Sequence, residues 1–396
     1  MSEVTKYKLF NGIRYLGDAF FYPFFSLYLK SQNLVEDKIG FLLSISPIIA
    51  IIANPIYSML CKNTNRTKNI LKIITILEGI IILSISFTSN FYIISVLTFL
   101  LAIFGSCHYG LMDSLTSVFS EKNNVSYSSI RLYGSVAYII ATTLGGYIID
   151  LLGFNVSFAL ACILFISTGV IYHILKPINL DNDNNIASFE SSNNSNKSIY
   201  LDIFKNKHYV LFIIFYVFLL GTHFASDGFY SLYLESRGVE SNEYGLVYSY
   251  FVTFEVLTLI YLNKTKRKFD TNKLLILSCI FLIIRLTFNY LYLPLIIVIL
   301  ASCLRGIGYA ICLHTCYHYV ISIVGTKKGT FAIMMMTLFY SLYLAMFNNI
   351  FGNIIKNYSY KSFYLLAICL AIIALLIGLV RLKTSKNIND EFKTKL

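Results

Sequence analysis

Charge is scarce in this 396-residue chain: Asp, Glu, Lys and Arg make up 13% of it, against 57% apolar residues. Soluble globular chains carry about a quarter charged residues, so that class is excluded. Polar stretches are scarce too. Only residues 176–206 form a long one, rich in Asn and Ser over Asn182–Lys197 and short of the apolar residues a fold requires. Catalytic signatures are missing: there is no GxSxG, no HExxH and no clustered carboxylate motif, so an enzyme lacks its nucleophile–base or metal constellation. No cleavable signal is legible, because the first apolar run is too long and carries Arg14 and Asp18. Tryptophan is absent; beside high Ile, Asn, Lys and Tyr that reads as genome base composition and excludes nothing. The eight cysteines lie in or at the ends of apolar runs and read as small hydrophobes rather than disulfide partners.

What is present is apolar sequence in runs of about 20 residues, the length that spans a hydrocarbon core of ~30 Å. Twelve such runs fall at roughly 7–29, 39–61, 69–88, 91–120, 128–150, 154–175, 208–234, 244–262, 273–293, 295–324, 329–353 and 360–381. The expected fold is all-α: twelve transmembrane helices in two pseudo-symmetric six-helix bundles, at 1–175 and 207–383. The 176–206 segment is expected as a disordered cytoplasmic linker and 384–396 as a cytoplasmic tail. The net charge of +12 is a topology signal rather than a nucleic-acid footprint. Of 32 Lys and Arg, 23 fall in the termini and every second loop, five (Lys30, Lys38, Arg237, Lys356, Lys361) in the opposite loops, and four inside helices. That bias places both termini in the cytoplasm.

The chain also repeats itself. Ser26–Gly40, SLYLKSQNLVEDKIG, returns 205 residues later as Ser231–Gly245, SLYLESRGVESNEYG, with six of fifteen positions identical. In a membrane protein, two similarly built halves mark a transporter with its site between the repeats.

Ionisable residues inside such spans are costly and usually turn to polar cavities. Arg14 and Asp18 share a face at i, i+4, Glu78 lies mid-span in the third run, and His108 precedes Asp113 in the fourth. The fifth run opens with Arg131 and continues with Ser135, Tyr138, Thr142 and Gly145 as one small and polar stripe. Close helix packing accounts for Gly134 and Gly145–Gly146 but not for Arg131 or Tyr138. In the second half His223 and Asp227 stand one turn apart, followed by Tyr230 and Tyr233, and later spans carry Glu255, Arg285 and Arg305. By the 205-residue offset, His223 falls on Asp18. His314 and His318 also stand one turn apart, but Cys312 and Cys316 lie well around that helix, so packing or hydrogen bonding is expected there rather than a metal site.

Counting charges singles out a coupling ion. Five intramembrane carboxylates (Asp18, Glu78, Asp113, Asp227, Glu255) face four arginines (Arg14, Arg131, Arg285, Arg305), and arginine stays charged. One acid therefore lacks a permanent partner, and desolvation favours its neutral form, as a proton carrier requires. The candidates are Asp18, Asp227 and Glu255.

These residues resemble the major facilitator superfamily, in the branch containing lactose permease and 3-phenylpropionate permease. The eighteen residues from Asp113 to Arg131 match the spacing of that branch's helix-four acid and helix-five arginine, a pair that binds substrate in its sugar permeases. Arg131–Ala137, RLYGSVA, is similar to the family's Arg-x-aromatic-Gly run, and Gly221–Tyr233 to the helix-seven run of the phenylpropionate permease. Glu255 and Arg285 fall where lactose permease has a glutamate and an arginine. Departures accompany these matches. Tyr138 replaces a sugar-stacking tryptophan, Arg305 falls near a family histidine, Gly308 stands near its proton-carrying glutamate, and the basic loop at Cys61–Lys72 keeps only the basic residues of the family motif. The resemblance implies a proton-coupled transporter of the cell membrane, not an enzyme, taking up a small polar organic solute such as a sugar, oligosaccharide or aromatic acid. Asp113, Arg131, Ser135, Tyr138, Thr142, His223, Asp227, Tyr230, Glu255, Arg285 and Arg305 would line its site. It implies no cofactor, no metal and no nucleic acid, with the lipid bilayer as surroundings and the monomer as working unit. Drug or metabolite efflux by proton antiport is the competing reading, favoured by 31 Tyr and 32 Phe. A non-transporting receptor on the same scaffold is a third.

The charge bias predicts that a reporter fused after Leu396 or within 176–206 is cytoplasmic and one at Ser89–Asn90 is external. Accessibility labelling of the three fusions checks this, and the reverse pattern would contradict the twelve-span topology.

Overall fold

The computed structural model describes residues 2–61, 63–176, 203–265 and 270–393. The linker expected at 176–206 lies almost wholly outside them, and the tail expected at 384–396 is described only as backbone, to Lys393. The described chain is helical throughout: α1 Glu3–Phe21, a 3-10 turn Tyr22–Phe24, α2 Phe25–Ser31, α3 Glu36–Leu60, α4 Thr64–Ile85, α5 Phe91–Gly105, α6 His108–Lys122, α7 Tyr127–Leu152 and α8 Phe154–Ile174. The second half comprises α9 Lys207–Asp227, α10 Tyr230–Glu235, α11 Ser241–Lys264, α12 Thr271–Tyr290, α13 Leu295–Ala301, α14 Cys303–Val324, α15 Thr326–Asn357 and α16 Tyr360–Lys393.

Helix starts are written in side chains. Asn63, Asn90, Asn206 and Asp270 each accept backbone N–H groups of the helix they precede, and so satisfy donors that a first turn leaves open. Eleven segments among the described residues are long and apolar enough to cross a membrane. The twelfth expected span is α1, the 3-10 turn and α2 in series, and α1 carries Glu3, Lys6, Lys8, Arg14 and Asp18. Large apolar side chains such as Tyr92, Leu151 and Leu376 stand exposed on the outer faces, as lipid-facing residues should.

The chain divides into two compact units. The first contains α1–α8 together with Tyr230–Ser249, so it also holds α10 and the start of α11; the second contains α9 and the chain from Tyr250 onward. In the first, α1 packs on α7 and α8, and α4 on α5, α6 and α8. In the second, α9 packs on α14, α15 and α16, and α12 on α14 and α16.

The repeated sequence becomes repeated structure. Asn33 (φ 58°) and Gly238 (φ 86°) both take left-handed backbone, the region most readily entered by Gly and, among other residues, by Asn. They are 205 residues apart. After each, one N–H reaches back across the helix end: Leu34 N donates to Leu29 O (3.3 Å) and Val239 N to Leu234 O (3.1 Å). The SLYL residues are buried in both copies. Tyr28, for one, donates its hydroxyl to the carbonyl oxygen of Thr88 at 3.0 Å.

Candidate functional site: two buried charge clusters

Each unit buries a knot of charged side chains. In the first, Arg14 and Asp18 are held on α1 by their one-turn spacing, with Arg14 Nε donating to Asp18 Oδ2 (3.2 Å). Glu78 of α4 faces the same guanidinium, its Oε2 accepting from Arg14 Nη2 at 2.7 Å. The residues at the start of α6 complete the group. His108 Nδ1 lies 3.0 Å from Glu78 Oε1, and the Tyr109 hydroxyl donates to Asp18 Oδ2 at 2.6 Å. Arg14, Asp18, Glu78 and His108 are all fully buried, with the Phe165 ring of α8 covering the guanidinium at 4.2 Å. Glu78 and His108 sit mid-span in the sequence, but nothing there joins them to Asp18, which is 60 and 90 residues away.

Asp113 and Arg131 come together as their spacing suggests, with Arg131 Nε 3.9 Å from Asp113 Oδ1 and both side chains a third or more exposed. The Arg131 guanidinium lies over the Tyr15 ring at 4.1 Å. Ser135 is half-buried one turn along α7. Further along the stripe, Tyr138 meets Tyr248 of α11 (hydroxyl to hydroxyl 3.5 Å), while Thr142 and Thr143 each share a 2.7 Å hydrogen bond with Ser249. Gly146 and Gly245 permit that contact: a Cβ on Gly146 would meet Ser241 O at 2.5 Å, and one on Gly245 would meet Thr142 O at 2.5 Å. The polar stripe thus serves partly as a helix seam.

In the second unit four helices converge. Asp227 of α9 takes Arg285 Nη1 of α12 on one oxygen (2.7 Å) and Arg305 Nε of α14 on the other (2.8 Å). Arg305 Nη1 also donates to Glu255 Oε2 of α11 (3.2 Å), and His223 Nε2 stands 3.5 Å from Asp227. Two guanidiniums and two carboxylates balance there. Gly306 allows α14 to pass against the α11 backbone at Phe251–Glu255, which sets Arg305 beside Glu255. Rings line the approach: Phe251 lies 4.2 Å from the Arg305 guanidinium and Tyr309 stacks on His223 at 5.8 Å. Tyr309 and Phe224 also wall a cavity of about 190 Å³ with Tyr216 and Tyr340. Tyr230 belongs to the first unit, in α10, where it is buried and stacked on Tyr233. Cys312 packs on Ser278 (Sγ to Oγ 3.1 Å), and no group of three potential metal ligands occurs among the described residues; the side chain of His318 lies outside them.

Helices of membrane-spanning length in two units, each with a buried ionic cluster, define a multi-pass membrane protein. The model of the MFS_1 like family matches residues 13–366, and the chain belongs to that family. It is 25% identical over 251 residues to the transporter YwbF of Bacillus subtilis, a match covering 63% of this chain and 60% of that one. To the "Probable 3-phenylpropionic acid transporter" of Escherichia coli it is 22% identical over 267 residues, covering 67% of this chain and 68% of that one. The crystal structure of the nucleoside transporter NupG shares the fold, with a TM-score of 0.81 at 13% identity over 97% of this chain and 100% of that one.

The two kinds of ion pair should differ in what they hold up. Asp227→Asn removes the carboxylate that two buried guanidiniums share and is expected to cost about 3–5 kcal/mol. Asp113→Asn breaks a long, partly solvated pair and is expected to cost about 0–1 kcal/mol. Thermal unfolding of the purified variants in detergent orders them, and an Asp113 variant less stable than the Asp227 variant would contradict this assignment.

Proposed function

We propose that the protein is a secondary active transporter of the cell membrane that takes up a small polar organic solute together with protons by alternating access. Both termini would be cytoplasmic and the monomer would be the working unit, as the charge bias and the paired halves suggest. The observation that carries this reading is the convergence of His223, Asp227, Glu255, Arg285 and Arg305 beside an aromatic-walled cavity of about 190 Å³. A stable core gains little from so many charges, since apolar packing would serve as well or better, whereas a solute with hydroxyl or carboxylate groups is oriented by them. Asp113 of α6 and Arg131 of α7, both partly exposed, with Ser135 and Tyr138 following Arg131 along α7, would supply a second set of polar contacts, and a tyrosine ring can stack on a sugar or an aromatic ring. Thr142 and Tyr230, both buried in helix contacts, would support that surface.

A sugar or oligosaccharide and an aromatic acid both fit this chemistry. The Arg305 guanidinium, 5.7 Å over the Tyr309 ring that walls this cavity, favours the aromatic acid, and the Escherichia coli relative is named for one. Efflux of apolar compounds by proton antiport is the second reading, favoured by the same ring-lined cavity. Asp18, Asp227 and Glu255 are the carboxylates from which the coupling proton would be drawn.

The test reconstitutes the purified chain in liposomes with an imposed pH gradient and follows labelled 3-phenylpropionate, maltose and uridine. One of the first two is expected to accumulate above equilibrium, and a protonophore should abolish the accumulation. Accumulation indifferent to the pH gradient would refute proton coupling, and extrusion against the gradient in its place would establish antiport.

A further inference from the structure

The first unit's cluster does not balance. Arg14 is its one permanent cation, while Asp18 and Glu78 are two carboxylates, all without solvent exposure. Two full negative charges on one guanidinium would leave a net charge in a low-dielectric interior, which costs several kcal/mol or is removed by taking up a proton. Only three groups there could hold it: His108, Glu78 or Asp18.

Hydrogen-bond geometry separates them. His108 Nδ1 faces two oxygens, Glu78 Oε1 at 3.0 Å and Thr75 Oγ1 at 3.4 Å. The Thr75 hydroxyl already donates to Leu71 O (2.6 Å), so its oxygen can only accept from the ring and Nδ1 carries a hydrogen. His108 Nε2 is buried with no hydrogen-bond partner. A second N–H there would be an unsatisfied buried donor on a cation, so the imidazole is neutral. Glu78 then receives a donor on each oxygen, Arg14 Nη2 on one and His108 on the other, as an ionised carboxylate prefers. Asp18 receives Tyr109 and Arg14 Nε on Oδ2 alone, while its Oδ1 lies 3.1 Å from Arg14 Nη2 without a well-aligned hydrogen bond. Among the described residues, the other elements packed here bring no further cation into the group. Tyr22 of the 3-10 turn lies beside Arg14, α8 presents Phe165 and Tyr172, and Arg131 of α7 is held by Tyr15 and Asp113.

We propose that the Arg14–Asp18–Glu78–His108 cluster holds one exchangeable proton, that it resides on the Asp18 carboxyl, and that Glu78 and His108 are positioning residues that place it there. A polar cavity of about 340 Å³, lined by Tyr57, Ser106 and Cys107, adjoins the Glu78 side and is large enough for water, which gives the proton an exit. The inference rests on the proton-coupled reading for its purpose and narrows its three candidate acids to one. The balanced cluster around Asp227 then stays ionised and holds solute.

The test needs no solute. The full chain in lipid nanodiscs is titrated from about pH 5 to about pH 9 under infrared spectroscopy, with protons as the only probe. One protonated-carboxyl C=O band that exchanges in D₂O is expected, and it should shift when the protein carries aspartate labelled with carbon-13 at the side-chain carboxyl. Asp18→Asn should abolish it. Glu78→Gln should abolish it as well, although Asp18 remains, because one carboxylate then matches one guanidinium; a merely structural glutamate would leave it in place. Asp227→Asn, a control with its own unfolding curve, should leave it unchanged. A band that shifts only with labelled glutamate, survives Glu78→Gln or is missing from the wild-type chain would overturn the proposal. These outcomes are separate from those of the transport assay, where indifference to a pH gradient refutes proton coupling even if the band is present.

Discussion

Charge neutrality inside an apolar interior is the constraint on which the rest of the structure depends. A guanidinium at the centre of a span survives only against carboxylates, and those must arrive from other helices because one helix face offers few positions. The ion pairs therefore dictate which helices meet. Arg14 draws α4 to α1 through Glu78, α6 joins them through His108 on Glu78 and Tyr109 on Asp18, and Asp227 draws α12 and α14 to α9. Glycines complete the approach where backbones must nearly touch, as Gly306 does beneath Arg305.

The two clusters meet this constraint differently. Around Asp227, two arginines and two acids cancel, and rings at Phe251, Tyr309 and Phe224 give the group an apolar wall. Around Arg14, one arginine faces two acids behind Phe165, with Tyr109 and His108 as the neutral polar neighbours. A balanced group beside a cavity suits binding a solute, and an unbalanced, buried group with a water-sized cavity near Glu78 suits carrying a proton.

Much of this was legible in the sequence, for physical reasons. Hydrophobic runs of spanning length are strong signals, and the twelve-run reading survives with its helices interrupted in four places: the first run at Tyr22–Phe24, the fourth between Gly105 and His108, the seventh between Asp227 and Tyr230, and the tenth between Ala301 and Cys303. The repeat was legible from its shared SLYL and closing glycine, while the left-handed turn that Asn33 forms in one copy and Gly238 in the other appears only in the structure. His223, Asp227, Glu255, Arg285 and Arg305 could be named because ionisable residues are rare in spans, but their convergence on Asp227 could not, since four separate helices supply them. Glu78 and His108 show the limit most clearly. They carry no motif and no i, i+4 partner, and only helix packing reveals that both serve Arg14 and Asp18. The α7 stripe was read as cavity lining from Arg131 to Thr142, yet its inner end packs on Ser249, which periodicity along one helix cannot foresee.

The division of labour between the clusters is most directly tested by measuring two kinds of transport in one preparation of Asp18→Asn proteoliposomes, with whichever probe the wild-type chain accumulates. Uphill accumulation requires the proton to leave in every cycle, whereas exchange of labelled for unlabelled solute never does. Accumulation is expected to be lost and exchange to persist at a rate close to that of the wild-type chain. Accumulation that persists, or exchange that vanishes with it, would contradict the assignment of the proton to Asp18 and of the solute to the cluster around Asp227.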